Sequence, residues 1–102
     1  MVEIFTVIWD KPALEKLQEE YEYIKEDSLQ NAEKVKAEIL SRAASLNQNP
    51  YKYPKDKFKK NDNLFFRAFE IYHYRISYYI DEKTKEIIVL RVRSTHQKPL
   101  KY

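Results

Sequence analysis

The stretch "YRISYYIDEKTKEIIVLRVR", residues 74–93, decides how the chain folds. Both of its ends are rich in β-branched and aromatic residues, which suit a pleated surface. Between them, "DEKTK" (81–85) has the composition of a turn. "YRISYYI" (74–80) and "EIIVLRVR" (86–93) therefore read as the two arms of a β-hairpin. Just before them, "LFFRAFEIY" (64–72) reads as a third strand. The bend near Tyr72 and His73 contains none of the usual turn residues. The chain has no glycine, so its tight turns fall to Asn, Asp, Lys or Pro, without the residue that best tolerates positive φ.

Further upstream the period changes from two to that of a helix. Leu14, Leu17, Tyr21 and Ile24 fall on one helical stripe, with Glu15, Glu19, Glu20, Glu22 and Glu26 around it. Asp10 is placed to cap this helix, and Pro12 sits in its first turn, where a missing N–H costs little. Ser28 is placed to cap a second helix, whose inward set is Leu29, Ala32, Val35, Ile39, Ala43 and Leu46. "NQNP" (47–50) ends it. Two amphipathic helices joined by so short a turn form an antiparallel hairpin. Ahead of them, "VEIFTVIW" (2–9) is apolar at both alternating positions and reads as a strand covered on two faces. The element order is β-α-α-β-β-β. The expected architecture is α+β, with the helical hairpin packed on one face of a small, mostly antiparallel sheet. Residues 1–102 have the size of a single domain.

Alternation assigns faces within each strand. Phe65, Arg67 and Phe69 share one face, Arg75, Ser77 and Tyr79 another, and Arg91 and Arg93 a third. The opposite sets, Ile76, Tyr78 and Ile80, with Ile88, Leu90 and Val92, suit the face beneath the helices. In a matching register Arg67, Arg75, Arg91 and Arg93 gather on the open face beside tyrosines. That gathering makes a cationic aromatic surface, since guanidinium groups hold oxyanions in a bidentate fork. The same arginines also suit plain cross-strand pairing with Glu70 or Glu86.

Charge is divided along the chain. Residues 1–50 carry 6 basic and 10 acidic side chains, a net −4, and residues 51–102 carry 13 and 6, a net +7. A basic second half points to an acidic partner, either nucleic acid or protein. Lys52, Lys55, Lys57, Lys59 and Lys60 lie among Tyr51, Tyr53 and Phe58 in a loop, an interleaving that suits a nucleic-acid backbone and stacked bases or simply a solvated loop. There are no cysteines, which excludes disulfides, thiolate metal sites and a cysteine nucleophile and agrees with a cytoplasmic protein. Two histidines without spaced carboxylates make no metal site, and no cofactor motif is present. No apolar run approaches the ~20 residues of a membrane span. "MVEIFTVIWD" lacks the basic start of a signal peptide.

Taken together, the element order, "YRISYYID" (74–81) and "IIVLRVRSTHQKP" (87–99) resemble the RelE/ParE superfamily of toxins from bacterial type II toxin–antitoxin modules. The resemblance covers essentially the whole chain. It implies a small cytoplasmic toxin neutralised by a cognate antitoxin, whose acidic or amphipathic segments wrap it. ParE-like members of the superfamily inhibit DNA gyrase, and RelE-like members cut mRNA in the ribosome. The family's closing motif is a strand ending in valine, one further residue, then His or Asp, Thr, Arg, Gln, Asn and Pro. Here Val92, Thr95, Gln97 and Pro99 match it. Ser94 stands at the His/Asp position, His96 at the arginine and Lys98 at the asparagine. The ending is closer to the ParE-like branch.

The two branches need different residues. A metal-independent ribonuclease needs a base for the ribose 2′-hydroxyl, cations for the phosphorane and an acid for the leaving oxygen. Histidine is the residue type suited to proton transfer near neutral pH, which makes His96 the candidate acid or base. Arg67, Arg75 and Arg93 suit phosphate clamps, and Tyr102 or Tyr79 suits stacking or proton transfer. His73, at the hairpin bend, reads as structural. A gyrase-type toxin needs no chemistry, only a binding surface, for which Arg91, Arg93, Lys57, Lys59, Lys60 and Tyr79 are the candidates. A plain basic RNA-binding domain is the third reading.

Overall fold

The computed structural model describes residues 4–54 and 65–95. The order is β1 (Thr6–Trp9), α1 (Lys11–Asp27), α2 (Leu29–Ala44), two short 3₁₀ turns (Ser45–Asn47 and Pro50–Lys52), β2 (Phe66–Ile71), β3 (Tyr74–Asp81) and β4 (Glu86–Ser94). The strands form one sheet in the order β1-β4-β3-β2. β2, β3 and β4 are a meander of antiparallel hairpins, and β1 lies parallel to β4. The connection from β1 to the meander runs through the helical hairpin. The architecture is the α+β arrangement that the periodicities predict.

The helices start where the sequence can satisfy their first amides. Ser28 is extended (φ −156°, ψ 112°), and its Oγ accepts from Asn31 N–H at 3.1 Å. At Asp10 the backbone has the cap conformation, but its side chain makes no cap bond. Pro12 occupies the first turn of α1. The buried stripe of α1 is Ala13 and Leu17, with Tyr21 and Ile24 half-buried. Leu14 is 47% exposed, contrary to expectation, because the small Ala13 takes the inward position of the first turn. Leu29, as the first residue of α2, also stays exposed. Inward-facing α2 residues are Ala32, Ile39 and Ala43, and Leu46 follows in the first 3₁₀ turn.

These side chains pack on Phe69, Ile76, Tyr78, Ile80, Ile87, Val89 and Val92 of the sheet. Side chains directly opposite across a ladder share a face, so the register gives the covered set. Phe69 pairs with Ile76, which pairs with Val92; Tyr78 pairs with Val89, and Ile80 with Ile87. The covered residues of β4 are thus Ile87, Val89 and Val92, not the expected Ile88, Leu90 and Val92. The cause is a bulge: Ser77 pairs with Arg91 while Tyr78 pairs with Val89, which leaves Leu90 as an extra residue. Alternation reverses its phase there. A second correction concerns β1. It is an edge strand with alternating exposed and half-buried residues, not a strand covered on both faces. Val7 and Trp9 face the core, while Ile8 is exposed.

Without glycine, two other residues among those described take left-handed backbone. Tyr72 has φ 55° in the two-residue β2–β3 turn, and Lys85 has φ 57° at the end of the β3–β4 turn. Each costs roughly 1 kcal/mol or more relative to glycine. Local bonds hold both turns. The Tyr72 hydroxyl donates to Glu38 on α2, and His73 O accepts from Thr95 N–H at 2.7 Å. Asp81 Oδ1 accepts from Lys83 N–H and Thr84 N–H at 3.0 and 3.2 Å, and Lys85 O accepts from Thr6 N–H at 2.9 Å. Within the core, the fully buried Tyr78 donates to Pro50 O at 2.6 Å, tying β3 to the second 3₁₀ turn. Tyr78→Phe removes that donor and strands a carbonyl. The expected cost is about 1–2 kcal/mol, read as a fall of roughly 4–16 °C in Tm for a chain of this length.

Candidate functional site

On the side of the sheet away from the helices, the register lays out four rows across the strands. Nearest the β3–β4 turn is an acidic row of Asp81 and Glu86, with Thr6 beside them. Next comes an apolar row through all four strands: Phe66, Tyr79, Ile88 and Ile8. Ala68, Ser77 and Arg91 form the third row, and Glu70, Arg75 and Arg93 the fourth. Ala68 and Ser77 are buried.

Three predicted arginines therefore share the open face. Arg75 and Arg93 are directly opposed, a juxtaposition of like charges that is unfavourable by itself. Glu70 offsets it, with Arg75 Nη1 at 3.1 Å from Glu70 Oε2. The Arg75 side chain is 9% exposed and the Glu70 carboxylate 51%. The pair is thus anchored on a buried cation and open to solvent at its anion. Arg93 Nη1 also lies 3.3 Å from Ser94 O. The ring of Tyr79 packs on Phe66, with centroids 4.8 Å apart, and on Phe65 at 6.5 Å.

Arg67 does not join them. It pairs with Tyr78, whose side chain is in the core, and so lies on the helix side. Its Nη1 donates to Tyr53 O at 2.9 Å, and its guanidinium stacks on Tyr51 at 5.1 Å from the ring centroid. The alternation Phe65-Arg67-Phe69 is as expected; the face is the other one, because Phe69 is a core residue. Tyr51 donates to Glu82, which also accepts from Lys85 Nζ at 2.8 Å. Burial, and then the bond to Glu82, pushes the Tyr51 hydroxyl up to about 12. The Lys85 bond, and then the Tyr51 bond, holds the Glu82 carboxyl below its ordinary value. This cluster joins the start of the lysine loop to the β3–β4 turn.

A second concavity, not anticipated from the sequence, has a volume of about 630 Å³. It lies between the helices, the β2–β3 turn and the end of β4, among Tyr23, Ile24, Val35, Tyr72, His73 and Tyr74. Burial, followed by the nearby Glu20 carboxylate and a hydrogen bond to it, raises the Tyr74 hydroxyl. The exposed aromatic Tyr23 was the available signal, since its position falls off the apolar stripe of α1. His96, Tyr102, Lys57, Lys59 and Lys60 lie outside the described residues. Among the described residues no helix is long and apolar enough to cross a membrane, and no group of three His, Cys, Asp or Glu residues is placed to hold a metal.

A helical hairpin thus covers one face of the four-stranded sheet, and Arg75, Arg91 and Arg93 stand on the other. The family described as "ParE toxin of type II toxin-antitoxin system, parDE" matches residues 7–99, and the chain belongs to it. Similar solved structures include the chromosomal ParDE toxin–antitoxin system of P. aeruginosa (TM-score 0.69, 18% identity, covering 90% of this chain and 97% of that one). The RelBE2 toxin–antitoxin complex of Mycobacterium tuberculosis is also similar (TM-score 0.64, 21% identity, covering 92% and 93%). No curated protein sequence matches the chain.

Two measurements check the electrostatics. Glu70→Gln removes the carboxylate 3.1 Å from Arg75 Nη1, so it should lower Tm, by more at low salt than at 1 M salt, where screening acts over only ~3 Å. For Tyr51, stability is fully present below the unfolded value of 10.0 and is lost as pH rises through the folded value of about 12. Tm should fall across that window, and Tyr51→Phe should flatten part of the fall.

Proposed function

We propose that this ParE-family toxin arrests growth by binding DNA gyrase, without chemistry of its own, through the open face that carries Arg75, Arg91 and Arg93. The observation that carries this reading is the family match over residues 7–99. A geometric one supports it. A ribonuclease built on Arg67 and Arg75 would need both guanidinium groups at one phosphate, yet the two lie on opposite faces of the sheet, with Arg67 bonded to Tyr53 O. The toxin works in the cytoplasm. Its partner is a cognate antitoxin, which fits a family of toxin–antitoxin modules and neighbours solved as such systems. The concavity lined by Tyr23, Tyr72 and Tyr74 offers an amphipathic antitoxin helix an apolar seat.

The second reading, a ribosome-dependent mRNA endonuclease, keeps the support of the likeness to the RelBE2 complex and of the paired Arg75 and Arg93. Expression of the chain alone should slow bacterial growth, and co-expression of the adjacent small reading frame should restore it. Purified protein should block supercoiling of relaxed plasmid by gyrase and leave mRNA on programmed ribosomes intact. Arg91→Glu with Arg93→Glu should weaken the block by about tenfold or more, a loss of at least ~1.4 kcal/mol. Codon-positioned mRNA cuts with unaffected supercoiling would establish the second reading instead.

A further inference from the structure

The two edges of the sheet are guarded differently. β2 carries the charged Arg67 and Glu70, and its Ala68 N–H already donates to Pro54 O at 3.3 Å. Charge and cover by a neighbouring segment are ordinary means of keeping an edge strand from pairing. β1 has neither. Thr6–Trp9 are uncharged, as are Ile4 and Phe5 before them, and the register with β4 runs without a bulge. We infer that β1 is a self-association edge: β1 of a second copy of this chain pairs with it, antiparallel, about a two-fold axis at Ile8, and joins the two sheets into one. Such an association is independent of whether the target is gyrase or the ribosome.

Three observations carry it. The first is which backbone groups face outward. Thr6 N–H donates to Lys85 O and Asp10 N–H to Val89 O, both at 2.9 Å, so Thr6, Ile8 and Asp10 direct their backbone groups at β4 in the parallel ladder. Those of Val7 and Trp9 point away from the sheet, and among the described residues no backbone group bonds to them there. The Phe5 N–H, by contrast, donates to Asn47 O at 2.8 Å. An axis at Ile8 sets Val7 opposite the partner's Trp9, and each such pair exchanges both of its hydrogen bonds. An axis at Val7 would call on Phe5 instead, and one at Trp9 would call on Lys11, inside α1. The second observation is self-complementarity. A two-fold contact brings groups near the axis against their own kind, which like charges oppose and a neutral strand permits. Ile8 is 37% exposed, and it meets the partner's Ile8 in the closer kind of pair, with about 4.5 Å between Cα atoms. On the helix side, Val7 lies against the half-buried ring of the partner's Trp9, a favourable pairing of β-branched and aromatic side chains. The third is continuity. Ile8 ends the apolar row Phe66–Tyr79–Ile88–Ile8, so this axis runs the row of one copy straight into that of the other. Asp10, whose side chain makes no cap bond, comes opposite the hydroxyl of the partner's Thr6.

A strand of 4 residues buries little, which places the dimer in the weak, exchanging class, below about 1,200 Å² of interface. Sedimentation equilibrium of the intact chain from about 5 µM to about 1 mM should show the average mass rising from that of one copy toward that of two. Trp9 is the single tryptophan of the chain, and its emission should move to shorter wavelength along the same curve as the partner's Val7 covers it. Ile8→Lys and Ile8→Glu each set two like charges against one another at the axis, so each variant alone should associate at least about tenfold more weakly than the parent. An equimolar mixture of the two variants sets opposite charges together and should associate more strongly than either alone, a result that also shows both variants to be folded. One-copy mass at every concentration leaves the edge to a strand from another protein and overturns the inference. A dimer that both variants keep lies on another surface and overturns it as well, as does a mixture no heavier than its components.

Discussion

Ser77 on β3 faces Arg91, and its neighbour Tyr78 faces Val89, so β4 carries Leu90 as one residue more than the ladder needs. Much of the molecule depends on that residue. Below it, Ile87 and Val89 point at the helices; above it, Val92 does. A ladder extended without the bulge from the pairing of Tyr79 with Ile88 would set Arg91 opposite Ile76 and bring Arg93 to the same covered face. Burying two guanidinium groups without partners against Leu17 and Ile39 would cost several kcal/mol each. Inserting one residue restores apolar packing along the whole strand and sends both arginines outward.

The same phase reversal gives the open face its two characters. Ile88 belongs to the segment before the bulge and points outward, to join Ile8, Tyr79 and Phe66. Arg91 and Arg93 belong to the segment after it. Apolar strip and cationic rows thus lie along one strand, one step apart. Glu70 moderates the charge at Arg75, and the acidic side chains of the first half of the sequence sit mainly on the helices, in the other layer. Among the described residues, Arg75, Arg91 and Arg93 are therefore displayed together on the side of the sheet away from the helices.

Much of this fold is legible in the amino-acid sequence, and the illegible parts share a cause. Helical and strand periods are local, so α1, α2 and the three strands of the meander can be read directly, as can the Ser28 cap. Face assignments need an absolute phase, which only packing supplies. Arg67 alternates with Phe65 and Phe69 as expected, but nothing local says that Phe69 is the core residue of the set. A bulge erases the alternation that would reveal it, and in "IIVLRVR" either set of alternate positions is apolar enough to be inward. The β2–β3 turn was hidden because Tyr72 holds a left-handed conformation normally given to glycine, supported by its bond to Glu38. β1 seemed doubly covered because its sequence is apolar throughout; its place at the edge follows from the parallel pairing with β4.

The bulge, and with it the face on which the arginines stand, is open to one direct measurement. Thr95 N–H bonds to His73 O, so Ile76, three residues on, falls opposite Val92 in a pair without ladder bonds. In such pairs the Cα atoms approach to about 4.5 Å, and the two Hα protons give a strong nuclear Overhauser effect. The structure calls for that cross-peak between Ile76 and Val92. A cross-peak between Ile76 and Arg91 in its place would mean an unbulged ladder, with the arginines turned toward the helices, and would contradict the account.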